Sequence, residues 1–260
     1  MKKFIALLLV LTMALTLFGC GSTDAAQTTV APTEAATEPA TEAATEAATE
    51  APAETEATAT VMTHDEYIAA ELDTEVTVEC YVQATQSWWE DKITVYAQAE
   101  DGAYFIYELA CSEEDAAKLV PGTKIRVTGF KGEWAGEVEI MDATFEFVEG
   151  ETWTAEALDV TELLGTDELI NHQNELVAFT GMTVEAIAYK NDEPGDDIYV
   201  TLSLNGESYD FCVEVYLTGT DSEVYTTVGE LEVGDVVNVE GFLYWYEGVN
   251  PHITAITVAE

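Results

Sequence analysis

The stretch Pro121–Phe130 reads PGTKIRVTGF, and Val233–Phe242 reads VGDVVNVEGF. Each stretch has a glycine near its start, then alternating apolar and polar residues, then a second glycine directly before a phenylalanine. Alternation with a period of two indicates a strand with one buried face. A glycine inside a strand marks a bulge or a sharp bend. The two stretches therefore predict the same bent strand at two places in one chain.

The match extends beyond this strand and indicates a tandem repeat. Hairpin turns are predicted at Asp101-Gly102 and at Asn205-Gly206, and a short helix is predicted in each copy, the first one capped by Ser112. The matched positions, at one constant offset, are Gly122, Ile125, Val127, Gly129, Phe130, Trp134 and Gly136 in the first copy, and Gly234, Val237, Val239, Gly241, Phe242, Tyr246 and Gly248 in the second.

Strand, hairpin, helix and second hairpin is the element order of the OB fold, a five-stranded Greek-key barrel. Each copy resembles the small OB-fold domains of secreted bacterial proteins, and the resemblance covers nearly all of residues 70–260. It implies an all-β fold with short helices, built from two tandem OB-fold-like five-stranded barrels in residues 61–150 and 151–260. A β-sandwich is the structural alternative. Because OB folds host unrelated activities, the resemblance implies a fold and not a ligand.

The N-terminal part of the chain predicts export. Residues 1–19 combine two lysines with a short apolar run and read as a signal peptide. The residues up to Cys20 resemble the lipobox of bacterial lipoproteins, which implies a lipid on Cys20 and a place on the extracytoplasmic face of the cell membrane. Residues 20–60, nearly all Ala, Thr, Glu and Pro, predict a disordered, self-repelling linker.

The chain is strongly acidic, with 51 acidic and 8 basic residues and a net charge of −43. Such a surface repels the phosphates of nucleic acids and of anionic lipids, so nucleic acid is not expected as a partner. Single-strand binding is nevertheless kept as an alternative, because Lys124 and Arg126 alternate outward on one strand and form a local basic patch.

The residues that carry chemistry predict a binding protein and not an enzyme. No CxxC, HExxH, GxSxG or P-loop motif is present, so no catalytic residue, metal site or cofactor is expected. Cys80, Cys111 and Cys212 are expected to be buried small hydrophobes, with a Cys80–Cys111 disulfide as the alternative. The acidic loop Asn191–Asp197 is expected to be a solvated turn, with calcium binding as its alternative.

Aromatic residues in two loops are the candidate ligand contacts. Ligands of OB folds lie across strands two and three, between the loop joining strands one and two and the loop joining strands four and five. Because neighbouring residues of a strand face opposite ways, one ring of the tryptophan pair is expected inside and the other outside. The predicted ligand-binding residues are Trp88, Trp89, Trp134, Tyr244 and Trp245.

The repeat separates these aromatic positions into two kinds. Trp134 and its counterpart Tyr246 are matched, so we expect them to serve the fold. Leu243 and Trp245 stand where the first copy has Lys131 and a glutamate. They are expected to pack against the other domain, to contact a ligand, or to be only partly exposed.

The leading hypothesis is a lipid-anchored, extracytoplasmic, non-enzymatic binding protein. Aromatic loops on an acidic surface favour a neutral or cationic partner, most concretely a carbohydrate stacked on tryptophan. The alternatives are a single-stranded nucleic-acid-binding OB-fold protein and a structural protein that docks to another envelope protein through Leu243 and Trp245.

Overall fold

A computed structural model of the protein describes residues 60–259. The predicted signal peptide, the predicted lipidation site Cys20 and nearly all of the predicted linker lie outside these residues. Within the described range, no helix has the length and apolar character needed to cross a lipid bilayer.

The first copy folds into a closed barrel with the strand order β1-β2-β3-β5-β4. Neighbouring strands are antiparallel except β3 and β5, which run parallel. The elements are α1 (His64–Ala69), β1 (Glu75–Thr85), β2 (Lys92–Ala99), β3 (Gly102–Ala110), α2 (Glu113–Ala116), β4 (Lys124–Trp134) and β5 (Glu137–Phe147).

The second copy closes in the same strand order, because β10 pairs with β7 as well as with β11. Its parallel contact, between β9 and β11, matches the one in the first barrel. The elements are β6 (Leu158–Asp159), β7 (Leu176–Tyr189), β8 (Ile198–Leu204), β9 (Glu207–Val213), α3 (Val215–Thr218), α4 (Glu223–Glu230), β10 (Val236–Phe242) and β11 (His252–Val258). The predicted fold class, two tandem OB-type barrels, is confirmed.

The repeated glycines bend the strands by allowing close approach. A Cβ on Gly129 would lie 2.7 Å from the carbonyl oxygen of Met141, and one on Gly241 would overlap the carbonyl of His252. The register of strand pairing shifts at each of these two glycines. A β-bulge of this kind bends a strand around a barrel, so the role predicted for the second glycine of each stretch is confirmed.

The Asn205-Gly206 turn and the Ser112 cap are present as predicted, whereas the first hairpin turns at Glu100 and Asp101, because Gly102 already pairs with Ala99 of β2. Asn205 and Gly206 both have positive φ, 55° and 89°, which is the two-residue hairpin turn that asparagine-glycine favours. The Ser112 hydroxyl accepts a hydrogen bond from the backbone N–H of Asp115 and caps α2. The helix α3 is an element that the sequence patterns did not predict.

The cysteines behave as small buried hydrophobes. Cys80, Cys111 and Cys212 are all free and buried. Burial raises the pKa of the Cys80 thiol to about 12, because the thiolate would lose its hydration in the barrel core. The expected burial is confirmed, and the alternative Cys80–Cys111 disulfide is not formed.

Lys131 is a charged residue that is buried. It lies on β4, and its Nζ donates hydrogen bonds to the carbonyls of Tyr67, Ile68 and Ala70 at 3.1, 2.7 and 2.9 Å. These carbonyls belong to the C-terminal end of α1, where unpaired backbone acceptors attract a cation. A lysine on a strand therefore fixes the helix to the first barrel.

The second barrel packs on the outer face of β2 and β3. The Tyr96 ring stacks on Phe242 with centroids 4.6 Å apart, and the Phe105 ring meets Tyr244 at 5.2 Å. We call this cluster the seam, and its members are Ala84, Tyr96, Phe105, Leu176, Leu217, Phe242 and Tyr244. Strands two and three of an OB barrel are the usual place of the ligand, so in the first barrel the second barrel covers that place.

Candidate functional site

The predicted ligand contacts do not line one cleft. The seam covers the strands between the two loops, and the tryptophans are therefore divided between its ends. Trp88 and Trp89 lie before β2 at one end, and Trp134 lies at the β4–β5 turn at the other end. The predicted contacts therefore belong to two separate surfaces.

The first surface is a groove of about 430 Å³ between the β1–β2 loop and the helix α3. This volume lies within the usual range for small-ligand sites. Eleven residues line the groove, and four of them are aromatic, namely Trp88, Trp89, Tyr107 and Tyr216. Six of the other seven are polar or charged, so the groove offers flat apolar surfaces beside several polar groups.

The loop fixes its two tryptophans in opposite directions. The Trp88 ring is half-buried against the first barrel core, and its Nε1–H donates to the carbonyl of Cys111 at 2.8 Å. Trp89 is 72% exposed. Glu90 and Asp91 both have positive φ, which turns the chain back so that Trp89 and Lys92 exchange backbone hydrogen bonds. The expectation of one inner and one outer ring is confirmed.

The second barrel supplies one wall of the groove. The exposed ring of Tyr216 stands on α3, and the Tyr216 carbonyl accepts a hydrogen bond from the backbone N–H of Ser87 at 2.8 Å. The Gln86 amide donates to both carboxylate oxygens of Glu214, at 3.0 and 2.8 Å. The groove is therefore complete only when the barrels are docked.

Sequence reasoning missed Tyr107 and Tyr216. Tyr107 follows Phe105 by two residues on β3, and period-two alternation could have placed both rings on the outer face of that strand. Nothing in the repeat indicated Tyr216, because α3 has no counterpart in the first copy.

The cation in the groove is already paired. Lys92 Nζ lies 2.6 Å from Glu108 Oε2, and this hydrogen bond raises the pKa of Lys92. Likewise, Lys124 pairs with Glu79, and Arg126 pairs with both Glu79 and Glu146, so two carboxylates balance the two cations of the basic patch that the sequence suggested. The groove therefore offers neutral and acidic groups to a ligand.

A buried polar cluster lies where the groove meets the seam. Burial raises the pKa of Glu214 to about 7, against the lowering effect of hydrogen bonds from Tyr96 and Gln86. The Tyr96 hydroxyl also lies 2.6 Å from His252 Nδ1, and burial lowers the pKa of His252 to about 4. Near neutral pH His252 is therefore uncharged, and the cluster holds the barrels together through hydrogen bonds.

The second surface, at the other end of the seam, consists of Trp134 and Tyr246. Their rings are 63% and 54% exposed, so the expectation that this matched pair serves the fold is wrong. The reason is the two-residue turn at Ala135-Gly136, which ends β4 beyond the barrel core and leaves Trp134 outside it. We call Trp134 and Tyr246 together the tip surface.

Leu243 and Trp245, which differ from their counterparts in the first copy, both pack against other parts of the protein. Leu243 is fully buried in the second barrel core, so its expected contact with a ligand or with the other domain is wrong. Trp245 is half-buried, and its backbone N–H donates to Glu137 Oε2 at 2.8 Å. The Trp245 ring also lies against Gly136 of the first barrel. Packing against the other domain, one of the alternatives for Trp245, is therefore present. Tyr244 stacks on His252 at 4.2 Å in the seam, and a ligand contact by Tyr244 or Trp245 stays a prediction.

The acidic loop Asn191–Asp197 is not simply a solvated turn. Asp197 is buried, accepts from Lys190 Nζ at 2.8 Å and accepts from the Val215 N–H at 2.9 Å. The loop therefore anchors the start of α3. Among residues 60–259, no group of three or more His, Cys, Asp or Glu side chains is placed to hold a metal ion.

Neither a protein-family model nor a curated protein matches the chain. Three solved structures illustrate what it is similar to. A murine DNA-binding protein bound with double-stranded DNA is 12% identical with a TM-score of 0.35, over 71% of this chain and 95% of that chain. The Ifi202 HINa domain with a 20-base-pair DNA duplex is 12% identical with a TM-score of 0.34, over 73% and 97%. A replication protein A heterotrimer bound to single-stranded DNA is 11% identical with a TM-score of 0.32, over 74% and 51%.

These structures require one correction. Each of the three is described as a complex with DNA, so the expectation that nucleic acid is not a partner does not stand as an exclusion. Its physical weakness is that net charge averages over the whole chain. Stacking of a base on an exposed aromatic ring depends on the local surface and requires no cation at the ring.

Proposed function

We propose that this chain is a binding protein without enzymatic activity, and that its groove holds a neutral carbohydrate. The observation that carries the proposal is the exposed ring of Trp89 beside Tyr107 and Tyr216 in a groove of about 430 Å³. The apolar face of a sugar ring stacks on such side chains, while its hydroxyl groups require polar partners.

The polar groups of the groove suit hydroxyl groups. Glu90 and Glu108 offer exposed carboxylate acceptors, Ser87 offers an exposed hydroxyl, and the charge of Lys92 is engaged by Glu108. Sugar hydroxyls can donate to carboxylates, and such hydrogen bonds to a charged group are stronger than neutral ones. The arrangement therefore favours a neutral, hydroxyl-rich ligand.

We further propose that the protein is a bacterial lipoprotein with tandem OB-fold domains that acts on the extracytoplasmic face of the cell membrane. The support for this lies in the sequence, namely the signal-peptide pattern of residues 1–19 and the cysteine that ends it at position 20. The acidic linker would then hold the binding domains away from the lipid surface by self-repulsion.

The test is glycan binding by the full chain and by Trp89→Ala. Calorimetry with soluble oligosaccharides from a β-glucan, a xylan and a mannan should find at least one that binds. Loss of the Trp89 ring should weaken that binding at least about tenfold, or about 1.4 kcal/mol, because a central aromatic ring carries much of such an affinity. Trp89→Phe should retain part of the affinity, and Leu72→Ala, an exposed residue outside the groove, should retain all of it.

Single-stranded nucleic acid is the second candidate, because bases also stack on exposed aromatic rings in OB folds. The same variants separate the two ligands. A single-stranded oligonucleotide that binds wild-type protein but not Trp89→Ala, with affinity falling steeply as salt rises, would replace the carbohydrate. Absence of both kinds of binding would refute the groove as a ligand site.

A further inference from the structure

Contacts beside the tip surface join the two barrels. The backbone N–H of Glu247 donates to the carbonyl of Ala135 at 2.7 Å, and the Gln173 amide donates to the carbonyl of Gly136 at 2.9 Å. Trp245 lies against Gly136 so closely that an added Cβ would be 3.0 Å from its Cδ1. These contacts hold the two turns together without using the rings of the tip surface.

Neither ring of the tip surface contributes to a core. Trp134 and Tyr246 belong to none of the three buried clusters of residues 60–259, although the repeat places an aromatic residue at this position in both barrels. Tryptophan and tyrosine have only two side-chain torsions, so an exposed ring of either kind loses little conformational entropy when it binds. The rings at these two positions are therefore available to contact a ligand and do not stabilise a core.

The chemistry around these rings repeats that of the groove. Trp134 follows Glu133, and Tyr246 precedes Glu247, with both carboxylates exposed. In the groove, Trp89 likewise stands beside an exposed glutamate. Rings next to carboxylates repel anionic polymers and accept hydrogen bonds from hydroxyl groups. The charge of the tip surface therefore matches a neutral polyhydroxyl chain.

The groove and the tip surface lie at opposite ends of the seam. The groove includes Lys92, the first residue of β2, whereas Glu137 at the tip lies two residues before Glu139, which is opposite Phe105 near the start of β3. The six residues of β2 between these ends span roughly 20 Å at about 3.3 Å each. The second barrel covers β2 between these ends, so a ligand that touches both surfaces must pass around the seam. A short oligosaccharide therefore fills only one of the two surfaces, whereas a polymer can reach both.

We propose that the tip surface is a second carbohydrate-stacking site, and that the ligand is a polysaccharide long enough to occupy it together with the groove. This inference rests on the proposed function of the groove. Occupation of both sites by one chain makes the second contact intramolecular, which raises affinity well above that of either site alone.

The experiment compares short and long forms of one glycan. The full chain and the Trp134→Ala/Tyr246→Ala variant are titrated with a soluble β-glucan, xylan or mannan and with its own short oligosaccharide. We expect the variant to bind the oligosaccharide within about twofold of wild type, and to bind the polymer at least about tenfold more weakly. Phe130→Ala, an exposed ring on the same strand as Trp134, should bind both as wild type does.

The outcomes distinguish the two proposals. Unchanged polymer affinity in the double variant would overturn the second site and leave the groove intact. Absence of any glycan binding to wild-type protein would refute the proposed function and the second site with it. A loss restricted to single-stranded DNA binding would overturn the carbohydrate assignment of the tip surface. Equal melting temperatures for all variants would confirm that exposed rings, and not the fold, had been removed.

Discussion

At the scale of single residues, Lys131 illustrates how one side chain joins two elements. The helix α1 has no basic residue in its last turn, so its terminal carbonyls depend on a donor from elsewhere. Lys131 reaches them from β4 and is itself shielded from solvent. Burial lowers the pKa of Lys131, because the ammonium group loses hydration that the carbonyl oxygens only partly replace.

Replacement of Lys131 by methionine should destabilise the protein. Methionine keeps much of the apolar stem but removes the shared donor of three carbonyls, of which, within residues 60–259, Tyr67 alone keeps another, the Ala70 N–H at 3.2 Å. We expect a loss of about 2 kcal/mol or more in the free energy of unfolding. Urea denaturation followed by circular dichroism measures the loss. Lys118→Met is the control, because in the described part of the chain the Lys118 ammonium group makes only exposed contacts, with Glu114 and Asp115 of α2 and with the ring of Phe147. Equal losses in both variants would contradict the proposed role of Lys131.

At the scale of elements, the strand glycines differ in what surrounds them. Gly241 faces the backbone of His252 across the bulge, whereas Gly132 faces only the flexible end of the Met141 side chain. A backbone cannot move aside without loss of strand pairing, but a methionine can change rotamer. Two glycines of similar strand conformation therefore place very different limits on substitution.

We expect Gly241→Ala to destabilise the second barrel by about 2–3 kcal/mol, since the new methyl group must separate β10 from β11. Gly132→Ala is the matched control and should cost less than about 1 kcal/mol, because Met141 can yield. Thermal and urea unfolding of both variants would check this. A Gly132→Ala loss as large as that of Gly241→Ala would show that loss of glycine itself, and not the approach of the neighbouring strand, is responsible.

The elements were largely predictable from local patterns, whereas the arrangement of the site was not. Bent strands, hairpin turns and caps depend on residues close in sequence, such as Gly241 and Asn205-Gly206, so their signals are local. Alternation along β2 and β3 places Tyr96 and Phe105 on the outer face of the first barrel. It does not indicate whether that face is exposed to solvent or covered by the second barrel. Trp89 could be identified as an outer ring, but its neighbour Tyr216 arrives from the other barrel through a contact between distant parts of the chain.

At the scale of the whole molecule, only one of the two barrels has an apolar outer face on its second and third strands among the described residues. Tyr96 and Phe105 are directly paired on the first barrel, and both are buried under the second. In the second barrel the corresponding outer pair is Thr201 and Asp210, which are also directly paired and joined by a hydrogen bond of 2.9 Å. A polar pair of this kind does not offer an apolar surface to a third barrel, which explains how a repeat of similar units has one specific order of docking.

Buried carboxyl groups make the docked state depend on pH. Glu137 is fully buried between the barrels, where it accepts from the Trp245 N–H and from the Gln173 amide, and its Oε1 has no partner. Burial raises the pKa of Glu137 to about 8 in the folded protein, against an ordinary value of 4.5. Nearby Glu139 also has a pKa raised by burial, so ionisation of both carboxyl groups is disfavoured.

The sign of the effect follows from proton linkage. Between pH 4.5 and 8 the folded protein keeps a proton on Glu137 that the unfolded chain releases, so this contribution to stability is complete below pH 4.5 and is lost as pH rises through 8. Glu214 acts in the same direction up to a pKa of about 7. His252 acts oppositely, because its folded pKa of about 4 lies below its ordinary value of 6.5 and removes stability only as pH falls below 6.5.

Between pH 6.5 and 8 the carboxyl groups therefore act without opposition from His252. We expect the free energy of unfolding of wild-type protein to fall by roughly 1–3 kcal/mol across this window, since one proton corresponds to about 1.4 kcal/mol per pH unit. Glu137→Gln keeps the shape of the side chain without its ionisation, so urea denaturation at several pH values should give a flatter dependence for this variant. Glu133→Gln removes an exposed carboxylate of β4 and should leave the wild-type slope unchanged. Parallel curves for wild type and Glu137→Gln would mean that the buried carboxyl between the barrels does not govern their docking.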